Sequence, residues 1–293
     1  MRKYIALATL ALLVSGCEKS IESNSFDPAE IRIEACLPAT RVANNAFESG
    51  DSMGFYAVEY SGDEVAPLQI SGNYINNERL TLGSNGWKGK RTLYWSNNAC
   101  DFYAVYPFQQ PQSINTDLFD IAVDQNSAPK GNALPGYEAS DLLWAKAENV
   151  ASTAGKVQLN FKHLMSRVVV KLERGPKFEG ELPDDIVVHL YNTVTTAEVD
   201  YANGSLQSYA MGDKNTITMK QLSKDTYTAI VVPQHIEHKT PLVEITMEGI
   251  AYLLNYSMSF RPGYQQTITV TLNTSPDQEK IEISINGEVG DWD

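Results

Sequence analysis

Cysteine is scarce in this chain, with three in 293 residues, and Cys17, Cys36 and Cys100 form no Cys-x-x-Cys pair. Redox and metal chemistry built on that motif is therefore excluded. Basic charge is short as well. Lys and Arg number 23 against 36 Asp and Glu, which leaves a formal charge of −13. No block of Lys or Arg interrupts this acidity, and that argues against nucleic acid or an acidic membrane surface as a partner. A phosphate-cradling glycine loop, a Gly-x-Ser-x-Gly elbow and a His-Glu-x-x-His helix are all missing. No catalytic residue, metal ligand set or cofactor is expected. Long apolar runs are missing too, since the longest, Tyr4 to Val14, is too short to cross a bilayer.

That run has a different use. It follows the basic Met1-Arg2-Lys3 and ends in Ser15-Gly16-Cys17, the layout of an export signal. Leu13-Val14-Ser15-Gly16-Cys17 looks like a bacterial lipobox, after which a lipoprotein peptidase cuts before an acylated cysteine. Residues 1–16 are then a lipoprotein signal peptide, and Cys17 is the lipidation site carrying palmitate-type chains. Each buried CH₂ contributes roughly 0.8 kcal/mol to anchoring. Loss of Arg2 and Lys3 takes the formal charge from −13 to −15. Residues 17–30 are polar and read as a flexible tether.

Beyond the tether the dominant signal has a period of two. Ile31, Ile33, Ala35 and Leu37 alternate with Arg32, Glu34 and Cys36, and Pro38 stops the run. Met53 to Val58 and Phe102 to Tyr106 are apolar and aromatic strands. Ser84-Asn85-Gly86, Ala202-Asn203-Gly204 and Glu248-Gly249 are hairpin signals in which Asn and Gly tolerate φ > 0. Past the middle, Val168, Val170 and Leu172 point one way while Val169 and Lys171 point the other. Thr267 to Leu272 and Ile281 to Asn286 alternate as cleanly. Asn115 to Tyr137 reads as loop. Short strands at frequent intervals, without a convincing amphipathic helix, predict an all-β chain of antiparallel β-sandwiches. The length accommodates two domains, 31–155 and 156–293, with Phe161-Lys162-His163-Leu164 at the crossing between them.

Three groups invite a chemical reading. His163 beside Lys162 and Arg167 resembles a catalytic base, yet no nucleophile or carboxylate partner is placed by sequence, so a structural histidine is expected. His235-Ile236-Glu237-His238 has two histidines three apart, with no third ligand marked. Tyr94, Trp95, Phe102, Tyr103 and Tyr106 would form a sugar platform if exposed and a core if buried.

Several segments, taken in order, carry a resemblance. They are Thr40-Arg41 before Gly50 to Tyr56, Tyr94-Trp95 before Asp101 to Pro107, Leu159 to Leu164, Ile230 to Gln234, Phe260-Arg261-Pro262-Gly263-Tyr264, and the terminal Asp291-Trp292. Together, behind a lipobox, they resemble the Bacteroidetes fimbrillin-like proteins, the lipoprotein-derived subunits of surface fimbriae. The resemblance implies two tandem transthyretin-like sandwiches divided near residue 156. It implies a non-enzymatic subunit on the outer membrane, anchored in lipid through Cys17 and found in the fimbrium when polymerised. Its partners would be other fimbrial subunits and a host or bacterial surface ligand. In polymerising members a trypsin-like protease cuts after an arginine, the first strand leaves, and a strand from another subunit fills the groove. Arg41 occupies that position. Ile31, Ile33, Ala35 and Leu37 would be the strand removed, and Ile281, Ile283 and Ile285 are suitable donors. A strand that must leave is not covalently retained, so this role predicts free thiols at Cys36 and Cys100. The competing expectation is a monomeric surface lipoprotein that binds glycan through exposed aromatics.

Overall fold

The computed structural model describes residues 30–37, 46–131, 133–209, 211–237, 239–274 and 283–292. In chain order the first strands are β1 (Ile33–Cys36), β2 (Ser52–Ser61), β3 (Glu64–Val65), β4 (Ile75–Gly83), β5 (Gly86–Lys88), β6 (Cys100–Tyr106) and β7 (Asp117–Asp120). A five-residue helix, α1 (Gly136–Ser140), precedes β8 (Leu143–Val150), β9 (Val157–Asn160) and β10 (Lys162–His163). Next come β11 (Ser166–Lys177), β12 (Val187–Val194), β13 (Thr196–Asp200), β14 (Ser205–Ser208), β15 (Lys214–Thr218), β16 (Lys220–Ser223) and β17 (Thr226–Val231). The last are β18 (His235–Ile236), β19 (Pro241–Met247), β20 (Ile250–Asn255), β21 (Met258–Ser259), β22 (Tyr264–Thr274) and β23 (Ile283–Asp291).

The chain is all-β, and most of its pairs are antiparallel. Among the described residues two strand pairs are parallel, β1 on β9 and β11 on β22. The first half is built on a sheet ordered β10-β8-β6-β2-β4-β5, with β3 on β2. Alternation sends its side chains to two separate cores. Met53, Phe55 and Ala57 of β2 join Phe102, Ala104 and Tyr106 of β6 on one face, where β1 and β9 cover them. Tyr56 and Val58 join Tyr103 and Val105 on the other face, which packs against the second half of the chain. Both faces are buried, so β6 has no exposed residue along its length. The continuous apolar sequence of these strands, where a half-solvated sheet would alternate, has this cause.

The second half opposes a sheet ordered β16-β17-β11-β22-β23 to one ordered β15-β12-β19-β20. Val168, Val170 and Leu172 are buried with Ile268, Val270 and Leu272 of the parallel neighbour β22. Lys171 stays exposed, as its alternation requires.

The two halves interlock. Strand β7, from the stretch read as loop, pairs with β13 of the second half. Its Asp-Leu-Phe-Asp sequence buries only Phe119, too little for a periodic signal. Gln125, almost fully buried, donates from Nε2 to the Ile230 carbonyl at 2.7 Å and accepts from the Ile230 amide at 2.8 Å. A side-chain amide thus satisfies a backbone position that a strand would otherwise have to pair. Strand β9 lies just past residue 155, and its Val157 and Leu159 pack in the first core. Phe161 still belongs to that core, whereas Leu164 belongs to the second.

The hairpin at Asn85-Gly86 differs in detail from the expectation. Ser84 and Asn85 make the turn between Gly83 and Gly86, and of this pair only Gly86 takes positive φ, at 85°. A two-residue I′ turn would need positive φ at both central residues. At Glu248-Gly249 both residues do, at 50° and 76°.

Candidate functional site: the slot of the first strand

The segment from Glu30 to Leu37 lies in a slot with hydrogen-bond partners on two sides. On one side β1 runs parallel to β9, with Ile33 opposite Val157, Ala35 opposite Leu159 and Cys36 opposite Asn160. The Val157 amide donates to the Arg32 carbonyl at 2.7 Å, and the Phe161 amide to the Cys36 carbonyl at 2.9 Å. On the other side the Ile31 amide donates to the Leu93 carbonyl at 2.8 Å, and Glu30 bridges Tyr94. The alternation read from sequence is realised here. Ile31 is buried, and Ile33, Ala35 and Leu37 pack partly buried against the same core, while Arg32 and Glu34 are exposed.

Two lysines flank the slot, one at its start and one beside its middle. Lys88 Nζ lies 2.5 Å from Glu30, and Lys156 pairs with Glu34. Both pairs are partly solvated, so they set direction and register more than they add stability. The floor is apolar. Fully burying one Ile or Leu there is worth roughly 1.5–3 kcal/mol, so emptying the slot costs one such contribution for Ile31 and a fraction of one for each of Ile33 and Leu37, and exposes an unpaired strand edge.

Among the described residues that follow, Phe47 packs against the same core. Its ring meets Trp87 and Tyr106 edge-on with centroids 5.1 Å away in each case, and Phe161 at 5.3 Å. Arg41 lies outside the described residues, as do Cys17 and Ile281. Ile283 and Ile285 fall in β23, which pairs antiparallel with β22 at the edge of its sheet.

Cys36 and Cys100 are both free thiols. Cys100 is fully buried, and burial, with the carboxylates of Glu59 and Asp101 adding to it, pushes its thiol up to about 11. Such a thiol is inert at neutral pH.

The other candidates resolve into structure. Trp95, Phe102, Tyr103 and Tyr106 are buried, and of the five proposed platform aromatics only Tyr94 is exposed. The sugar platform loses its support, because these rings are core. His163 is buried, with Nδ1 2.8 Å from Asp141 Oδ1 and its ring stacked on Trp292. The carboxylate that sequence did not place is therefore present, but the face of the ring is covered by an indole. His235 is exposed, with Nδ1 2.8 Å from the Ser259 hydroxyl. His238 lies outside the described residues, among which no group of three or more His, Cys, Asp or Glu is placed to hold a metal. Sequence reasoning missed Phe47 and the two lysines. Glu30 and Glu34, at the end of the tether and inside the strand, were the available signal for the latter.

A model of the fimbrillin-like family matches residues 40–292, a span that begins just past the first strand. A protein named "Putative fimbrium tip subunit Fim1C", from Bacteroides ovatus, is 26% identical over 186 residues, which is 58% of this chain and 35% of that protein. The chain thus spans about a third of the length of that curated relative. Two solved structures share the fold. A "putative cell adhesion protein" from Bacteroides uniformis aligns with a TM-score of 0.66 at 21% identity, covering 91% of this chain and 100% of that one. Another so described, from Bacteroides ovatus, aligns with a TM-score of 0.66 at 17% identity over 90% and 97% of the two chains. With most of its length matched by the family model, this chain belongs to the fimbrillin-like family.

Proposed function

We propose that this chain is a structural or adhesive subunit of a surface fimbria, without catalytic activity, that assembles by strand exchange. The observation that carries the reading is the slot. Residues Glu30 to Leu37 fill an apolar groove with backbone partners on two sides, and Phe47, packed on the same core, lies beyond Arg41. A cut after Arg41 separates the part that leaves from the part that stays. The emptied groove then offers main-chain donors and acceptors together with an apolar floor, which is what strand addition uses. The partners are other fimbrial subunits, and the lipid on Cys17 holds the precursor on the outer membrane until processing releases it. Ile281, Ile283 and Ile285 are the donor residues of this reading.

Electron microscopy of surface material from cells with and without the protein tests it. Fibres that shorten, thin or disappear in the deletion support a subunit role. Unchanged fibres, with the protein recovered only as monomer from the membrane, would overturn it.

A further inference from the structure

Charge on an edge strand protects a sheet from unwanted pairing. The edges of the three larger sheets follow this rule with one exception. Lys88 stands in β5, Lys162 in β10, Lys214 in β15, Lys220 in β16, and Glu288 with Asp291 in β23. Strand β20 is the exception. From Gly249 to Phe260 the chain holds no Asp, Glu, Lys, Arg or His. Ile250 and Leu253 of β20 are 45% and 52% exposed, and among the described residues no strand pairs with its outer edge.

The backbone of this edge is as open as its side chains. Met247 and Ile250 close the Glu248-Gly249 turn, and Tyr252 lies opposite Ile245. Antiparallel strands bond through alternate residues, so Ile250 and Tyr252 bond to β19 while Ala251 and Leu253 turn N–H and C=O outward. Tyr252 and Leu254 pack against the second core, whereas Ala251 and Leu253 are exposed on the other face of the sheet.

We infer that a second copy of this chain pairs with this edge, β20 against β20, antiparallel about a two-fold axis. The outward groups lie two residues apart. Under the axis Ala251 therefore exchanges both its bonds with Leu253 of the other copy, and Tyr252 faces Tyr252. The side chains fit the same register. Ile250 meets Leu254 of the other copy on the inner face, and Leu253 meets Ala251, large against small, on the outer one. Charge selects a second copy as well. A formal charge of −13 opposes the approach of two copies, and this uncharged strand lets them meet without setting carboxylate against carboxylate. The pairing leaves the slot of the first strand untouched and does not rest on strand exchange. Six residues from each copy make a small contact, so the pair is weak in dilute solution and forms where copies are held close together.

The test is sedimentation velocity on the mature chain, made without residues 1–16 and with Cys17→Ser, over concentrations reaching roughly 1 mM. A reversible dimer is expected. Leu253→Lys, which sets two like charges in the joint, should weaken it at least about tenfold. Ala251→Pro removes an outward N–H from each copy and should also weaken it. Leu222→Lys, on the edge strand β16, should leave it unchanged. Leu253→Lys decides alone should Ala251→Pro alter the circular dichroism. Register is read by oxidation in a Cys36→Ser background. Ala251→Cys and Leu253→Cys should link when mixed and neither by itself, because only the cross pair comes within bridging distance. A chain monomeric throughout, a dimer as tight in Leu253→Lys as in the native chain, or linking of either cysteine variant alone as readily as the mixture would overturn the inference. A monomeric chain that binds an uncharged strand peptide of foreign sequence would overturn it too, and would assign the edge to another protein.

Discussion

His163 and Trp292 stack face to face, with ring centroids 3.8 Å apart and planes 13° apart. The histidine ends β10, the tryptophan directly follows β23, and Asp141 Oδ1 meets the imidazole at its Nδ1 edge. The Trp292 amide donates to the Gly263 carbonyl at 2.9 Å, so the end of β23 is pinned by its ring and its backbone. Trp292→Ala should lower stability by about 3–5 kcal/mol, as for other buried Trp truncations. Urea unfolding measures this. A loss below about 1 kcal/mol would mean that the stack does not hold the strand.

Gly204 lies under the indole of Trp144. A Cβ there would fall 2.2 Å from a ring atom, and φ at Gly204 is 58°. Trp144 cannot retreat without losing the 2.7 Å bond from its Nε1 to the Tyr201 carbonyl. Gly62→Ala serves as control, since its φ is 65° and nothing lies within 4 Å of its added Cβ. The control should cost about 1–2 kcal/mol from backbone conformation alone. Gly204→Ala should cost about 1–3 kcal/mol more. Equal melting temperatures for the two variants would refute the clash.

Limited trypsin treatment of the mature protein should release a fragment ending at Arg41. Arg41→Gln should suppress that product while leaving circular dichroism unchanged. An identical digestion pattern in the variant would remove Arg41 as the processing point.

Native alkylation followed by mass spectrometry should modify Cys36 slowly and Cys100 not at all until the chain unfolds. With its thiol near 11, Cys100 presents almost no thiolate at pH 7, and it gains reactivity only as pH approaches that value. Recovery of a Cys36–Cys100 peptide from exported protein would falsify the free-thiol state and tie the first strand permanently in place.

Cys17→Ala should abolish palmitate labelling and leave an uncleaved or mislocalised precursor. Undiminished labelling would remove Cys17 as the acylation site.

What was legible in sequence was whatever depends on near neighbours. The strands around Phe55, Phe102, Val170 and Ile268 were readable because apolar residues recur at short period. Their division between two cores was not readable, since a sheet covered on both faces erases the polar half of the alternation. The first strand was readable as apolar and alternating, yet its parallel pairing with β9 spans more than a hundred residues and leaves no local trace. His163 was read as structural, but its partners come from Asp141 and Trp292, which no spacing rule connects. Phe47 looked like an isolated aromatic after a polar stretch. Only the fold shows that Trp87, Tyr106 and Phe161 converge on it.

The parallel run of β1 along β9 has a mechanical corollary. A strand held by backbone bonds along its flanks, and pulled along its own axis, cannot peel open one bond at a time. Its bonds share the load in shear and yield together, along with the apolar side chains seated beneath them. A joint of that kind between subunits would resist drag on a fibre far better than a hairpin pulled apart at its open end.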